Sequence, residues 1–169
     1  MLHGEGSRTP MDEAATVLER TSTINAPLRL VWERIASHEG INDEMRPWLT
    51  MSAPRGVGAL QLETVPVGVP LGRAWLRLFG VLPFDYDDLT IAELEPGQRF
   101  HEKSTMASMR YWEHERCLVE RGGSTEITDR ITFVPRWGLT WARPVLARVV
   151  SAFFSHRHRR LARYFERAR

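Results

Sequence analysis

Cysteine occurs once, at Cys117, so an intramolecular disulfide framework is excluded and a reduced, half-buried strand thiol is expected. No apolar run approaches the roughly 18 residues of a membrane-spanning helix, and the N-terminus lacks an apolar signal core. These two absences predict a cytoplasmic chain that is not integral to a membrane. Metal-ligand spacing is missing too. "HRHRR" sets His156 and His158 two residues apart, on different faces of a helix, and His101 should point away from the other candidate groups. "FDYDD" offers Asp85, Asp87 and Asp88 without the glycine and distal glutamate of a calcium loop, and it reads as a solvated strand edge. "RGVG" lacks the strand, Gly-Lys and helix context of a phosphate loop, and no nucleophile elbow is present. Neither a metal nor a cofactor is expected.

What is present fits one globular domain: 169 residues, 43% hydrophobic and 26% charged, enough for a core and an internal pocket. Residues 1–14, rich in Gly, Pro and charge without periodicity, read as a disordered tail, leaving 15–169 as a single domain. The net charge of +2 hides a division. From Arg136 to Arg169 nine arginines face the single acid Glu166, whereas the other 135 residues carry 14 basic and 20 acidic side chains. Such an arginine-rich end could touch nucleic acid or anionic lipid; a solvated face beside an acidic sheet explains it equally well.

"TVLERTSTI" alternates as a strand, and "NAPLRLVWERIASHEGI" follows as a short amphipathic helix, with Asn25 as side-chain cap, Pro27 in the first turn and Leu28, Val31, Trp32 and Ile35 as its stripe. "INDEMRPWL" adds a second helical turn or two before Pro47. The Gly/Pro-rich stretch from Trp48 to Pro70 reads as irregular chain with one or two short strands. Five runs bounded by Gly, Pro or Ser then suggest an antiparallel meander; the first, "RAWLRLFG", suits a strand or a helix. From about Thr140 the period becomes helical for about 28 residues, with Leu146, Val150, Phe153, Arg157, Leu161, Tyr164 and Ala168 on one face and Val145 and Val149 beside it. An open curved sheet closed by one long helix is thus the expected α+β architecture, and such a pair leaves an apolar cavity.

The strand "RYWEHERCLV" carries the candidate site. Across the turn "RGGS", Glu120 faces Thr125, which sets Leu118 against Ile127, Arg116 against Asp129, His114 against Ile131 and Trp112 against Phe133. The even-numbered residues must then face inward. A turn near Ala107 to Met109 would set Met106 beside Trp112, Ser104 beside His114 and Glu102 beside Arg116. Glu102, Arg116 and Asp129 then form a cross-strand ionic triad whose structural role is to pin three strands. Trp112, Met106, Ile131, Phe133 and Phe100 supply its apolar surroundings. His114 has no charge partner in this register, and it reads either as a ligand contact or as a satisfied core histidine.

"INAPLRLVWERIAS", "ELEPGQRFHEKS", "YWEHE", "TDRITFVPRWG" and "RHRRLARYF" together resemble the SRPBCC superfamily: START lipid-transfer domains, plant pollen-allergen proteins and bacterial polyketide cyclase/dehydratase-like proteins. The resemblance runs from about Thr16 to Phe165. It implies a helix-grip fold, about seven antiparallel strands wrapped on the C-terminal helix, with a hydrophobic ligand cavity between them. It does not imply one activity, because this fold hosts carriers, cyclases and hydrolases. Arg116 stands where relatives often carry a second histidine, which weakens a histidine-pair mechanism.

Three functions follow. The first is a binding protein for a lipid-like or aromatic metabolite, with Trp112, Met106, Ile131, Phe133, Phe100 and Phe153 as cavity wall and His114 or the triad at the ligand's polar end. Trp48, Trp75 and Tyr86 are further wall candidates, each equally explained by packing. The second is a cyclase or dehydratase in which His114 or Glu102 removes a proton next to a carbonyl and Arg116 steadies the oxyanion. The third acts through the arginine-rich helix on nucleic acid or membrane. No specific nucleic-acid partner is expected, and a homodimer stays open.

Overall fold

A computed structural model of the chain describes residues 15–54 and 62–167. The expected tail at 1–14, Ala168 and part of the Gly/Pro-rich stretch lie outside the described residues. Strand β1 (Thr16–Ile24) is followed by helices α1 (Leu28–Ile35) and α2 (His38–Met45) and by the short β2 (Leu49–Met51). The meander β3 (Pro70–Leu78), β4 (Leu82–Glu95), β5 (Arg99–Met106), β6 (Met109–Arg121) and β7 (Ser124–Pro135) comes next. A 3-10 segment (Trp137–Ala142) leads into α3 (Arg143–Arg167). All seven strands form one antiparallel sheet in the order β1-β7-β6-β5-β4-β3-β2, the helix-grip architecture. "RAWLRL" is therefore a strand, not a helix. Register shifts within the β3–β4, β4–β5 and β6–β7 pairs bend the sheet around α3, as an extra residue in one strand of a pair does. Among the described residues, no helix is long and apolar enough to cross a membrane.

Helix α1 begins at Leu28 with Pro27 in the capping position and no side-chain cap, so Asn25 is not the cap; its Oδ1 accepts a hydrogen bond from Ser124 Oγ at 3.3 Å. The cap with a side chain belongs to α2, where Ser37 Oγ accepts from the Gly40 N–H at 3.0 Å. Gly40 lies so near the end of α1 that a Cβ there would stand 1.8 Å from the Arg34 carbonyl oxygen. Gly40→Ala gains helix propensity but must push the two helices apart. We expect it to cost about 3 kcal/mol or more, read from the urea midpoint, and a neutral result would show that the junction yields.

The interior has two apolar clusters. Ile24, Val31, Trp32, Ile35, Leu89, Ile91, Phe100, Leu118, Ile127, Leu161 and Phe165 pack at one end of the sheet's concave face. Met106, Met109, Ile131, Phe133 and Phe154 pack at the other, with Leu18, Trp112, Leu146, Ala147, Val150 and Phe153 partly buried against them. The packed face of α3 differs from the expected stripe. It is Phe154, Arg157, His158, Leu161 and Phe165 that are buried, while Val145 and Val149 are exposed. The described residues of α3 before Phe154 include no buried side chain, and Leu146, Ala147, Val150 and Phe153 are half-buried against the second cluster, so the helix is held most deeply along its C-terminal half.

Candidate functional site

Between the apolar clusters runs a belt of buried polar groups, and its centre is the strand pair β6–β7. The pairing Trp112–Phe133, His114–Ile131, Arg116–Asp129 and Leu118–Ile127 is as the "RGGS" turn dictates, and the even-numbered residues of β6 face inward. The β5–β6 register is displaced by two residues from the expected one. Ser104 faces Trp112, Glu102 faces His114 and Phe100 faces Arg116. The cause is the connection itself: only Ala107 and Ser108 lie between β5 and β6. A two-residue shift keeps every side chain on its face while exchanging its neighbours. Glu102 is consequently not the second acid of Arg116.

That acid is Glu44, delivered from α2. Arg116 donates from Nε and Nη2 to the two carboxylate oxygens of Asp129 at 2.6 and 2.7 Å, and from Nη1 to both oxygens of Glu44 at 3.0 Å. Arg157 of α3 donates its Nε to Glu44 Oε2 at 3.1 Å. His114 and His158 each approach Asp129 through Nε2 at 2.9 Å, and His158 Nδ1 lies 2.6 Å from Ser22 Oγ. A carboxylate only accepts, so both imidazoles present their Nε2–H to Asp129. One network thus ties β1, β6, β7, α2 and α3. Burial by itself would raise the Asp129 carboxyl; Arg116 and His114 overcome this and hold it well below the usual carboxylate range. Burial likewise opposes the Arg116 charge, and Asp129 and Glu44 outweigh it, so its pKa is raised. His114 is lowered, chiefly by burial, with Asp129 opposing. Its ring is enclosed edge-on by Phe100 at 5.2 Å and Phe154 at 5.0 Å.

The second part of the belt is a pair of acids. Asp85 and Asp87, expected at a solvated edge, are each 4% exposed, because they share the inward parity of Leu89 and Ile91 on β4. Asp85 is a structural acceptor: Oδ1 takes the Tyr86 and Ala107 N–H groups at 2.8 Å each, and Oδ2 takes the Ser108 hydroxyl, which closes the β5–β6 turn. Asp87 instead lies beside Glu102 and Ser104, and Ser104 Oγ donates to Glu102 Oε1 at 3.2 Å. Burial pushes Asp87 up to about 6, and burial together with the Asp87 charge raises Glu102 well above its ordinary value. Two carboxyl groups buried side by side repel when both are ionised, so each opposes the other's loss of a proton. The Oδ1 atom of Asp87 is buried and without a hydrogen-bond partner.

Of the wall candidates, Met106, Trp112, Ile131, Phe133 and Phe153 do come together in the cluster at the N-terminal half of α3, and Trp112 stacks at a tilt on Phe133 and Phe154 at 6.2 and 6.4 Å. Phe100 packs in the other cluster. Trp75 and Tyr86 are not in either. They face each other across β3–β4 on the opposite side of the sheet from Ala74, Asp85 and Asp87, with the Arg73 guanidinium 3.8 Å from the Tyr86 ring centre. Trp48 is half exposed and touches Phe79 and His156 at the surface. Three clefts lined by described residues open elsewhere, one of them between α1 and the end of α3 around Arg34 and Tyr164, and none is lined by a residue of the belt.

Glu44, Arg157, His158, Ser22 and Asp87 were not among the candidates. Arg157 does carry a signal, a charge on an apolar helical stripe, and Asp87 alternates in step with Leu89 and Ile91. Glu44 carries none, since its partner lies 72 residues away.

Comparison with known proteins agrees with the architecture. The Zhui aromatase/cyclase from Streptomyces sp. R1128 superposes with a TM-score of 0.65 at 19% identity, covering 90% of this chain and 94% of its own. A START superfamily protein from Mycobacterium smegmatis gives 0.66 at 9% identity, over 90% and 99%. Protein CV1439 from Chromobacterium violaceum gives 0.68 at 11%, over 89% and 97%. At such identities the likeness is one of fold, the helix grip. No curated protein matches the sequence. A family model described as a domain of unknown function, DUF8410, matches residues 22–165. That match spans most of the chain, which therefore belongs to the DUF8410 family.

Proposed function

We propose that the protein binds a small molecule with a hydrophobic body and a hydrogen-bonding end, between the sheet and the N-terminal half of α3. The observation that carries this reading is the buried Oδ1 of Asp87, which has no partner, on the inner face of the sheet that also carries the half-buried Trp112 and, across from it, Phe153. An unpaired buried acceptor costs on the order of 1–3 kcal/mol, and a hydroxyl donor on a ligand would offset that cost. The Arg116 network does not serve as the polar end in this reading, because its donors are turned toward Glu44 and Asp129; it holds the strands on which the site stands. Native mass spectrometry of the purified chain should detect a retained molecule. In titrations with 1,8-dihydroxyanthraquinone as probe, saturable binding should weaken about tenfold in Asp87→Asn and in Phe153→Ala. Binding that neither substitution changes places the probe elsewhere and defeats the reading.

The carboxyl pair also favours an acid–base enzyme of the cyclase or dehydratase type. A group pushed up to about 6 exchanges a proton readily near neutral pH. We assign the proton-transfer role to the Asp87–Glu102 pair rather than to His114, whose Nε2–H is engaged by Asp129. Turnover of a β-carbonyl compound that is lost in Glu102→Gln, with probe binding retained, would establish this; turnover unaffected by that change would end it.

A further inference from the structure

A stripe of large apolar side chains lies on the outside of the molecule along the 3-10 segment and the outer face of the first half of α3. Trp137 and Trp141 are 82% and 80% exposed, and Val145 and Val149 are 56% and 58% exposed. At 3.6 residues per turn, Val145, Val149, Ala152 and His156 share one helix face. His156 ends that face against the half-exposed Trp48, which in turn meets Phe79, 64% exposed at the tip of the β3–β4 hairpin. The two apolar regions are therefore one rim, running along the first half of α3 and across to the hairpin. Isolated exposed apolar residues are ordinary, but a continuous band containing three tryptophans is not.

The charge around the rim selects what covers it. From Arg136 to Phe165 the sequence contains no Asp or Glu, and Arg136, Arg143 and Arg148 alternate with the exposed Trp and Val residues. Arg136 is anchored by its Nε donating to the Met106 carbonyl at 2.9 Å, and Arg110 lies over the Trp137 ring at 5.7 Å. A second copy of the chain would bring these arginines against their own kind. Nucleic acid would satisfy the arginines but leave Val145 and Val149 against phosphate. Anionic lipid satisfies both: tryptophan rings settle at the headgroup level, valines reach the acyl boundary, and arginine side chains extend to the phosphates. We propose that this rim docks the protein peripherally on an anionic membrane surface, with Trp137 and Trp141 as the inserting anchors. The inference rests on the outer surface alone and stands apart from the binding reading above.

The test is flotation of the full chain with vesicles of phosphatidylcholine alone and of phosphatidylcholine with 30% phosphatidylglycerol, a composition of about the anionic content at which basic segments bind. Binding is expected with the anionic vesicles, weakened at least about tenfold by Trp137→Ala/Trp141→Ala and about tenfold by Arg148→Glu. These side chains are exposed, so unchanged thermal unfolding of the variants keeps folding out of the comparison. Failure to float with anionic vesicles overturns the proposal. So does flotation that survives the double tryptophan change, which would mean adsorption by arginine charge alone. A dimer in light scattering that the tryptophan change dissolves, without vesicle binding, assigns the rim to a second copy instead. Retention on DNA that Arg148→Glu removes and the tryptophan change leaves intact assigns it to nucleic acid.

Discussion

Replacing Arg116 with methionine should cost about 3–5 kcal/mol of folding stability, or unfold the chain at neutral pH, because the change leaves Glu44 and Asp129 buried together without their shared cation. Both acids are almost wholly inaccessible, at 2% and 0% exposure, so water cannot replace the guanidinium. Arg116→Lys keeps the charge and loses the fork, and it should fall between wild type and methionine in urea unfolding. Acidification reports on the same network. Asp129 has a folded pKa below its unfolded value, so its contribution is fully present above about pH 5 and declines as pH falls below the ordinary carboxylate value toward the folded one. Asp129→Asn should remove that part of the acid limb while lowering stability at neutral pH. A methionine variant within about 1 kcal/mol of wild type would show that the belt does not hold these elements together.

The second large effect has the opposite sign. Asp87→Asn should raise stability at pH 7 by about 1–3 kcal/mol, and the gain should vanish near pH 4. A carboxyl whose folded pKa is raised from 3.8 to about 6 keeps its proton when folded and loses it when unfolded within that window. Stability therefore falls as pH rises from about 4 to 6, and the Glu102 partner, also raised well above its ordinary value, adds to the fall. An amide at position 87 carries no charge to desolvate, which removes the penalty. Denaturation curves at pH 4, 5.5 and 7 would test this, and a variant less stable than wild type at pH 7 would disprove the raised carboxyl. Together with the expected loss of probe binding, a stabilised but binding-impaired Asp87→Asn would mark the acid pair as a site whose strain is kept for function.

Much of this was legible along the chain. The "RGGS" turn sets the β6–β7 pairing, and the even-numbered inward face of "WEHER" follows from Ile127, Ile131 and Phe133 opposite it. The β5–β6 neighbours were not, because the register there depends on how tightly Ala107 and Ser108 turn, which the residue types around the turn do not announce. Asp85 and Asp87 illustrate a different failure. Their charge argues for solvent while their parity with Leu89 and Ile91 argues for the core, and parity prevails because strand direction leaves a side chain no third choice.

By itself the sequence determined the broad order of strand, short helices, meander and long helix, the inward face of β6 and β7, and the direct pairing of Arg116 with Asp129, since these depend on alternation, helical period and one turn. The tertiary structure alone decided that Glu44 and Arg157, 113 residues apart, meet beside that pair, and that α3 is held by its C-terminal half with tryptophans left outside. Periodicity fixes which way a side chain points within its own element; which partner it finds there depends on how distant elements are laid against one another, and that is set by the packing of the whole chain.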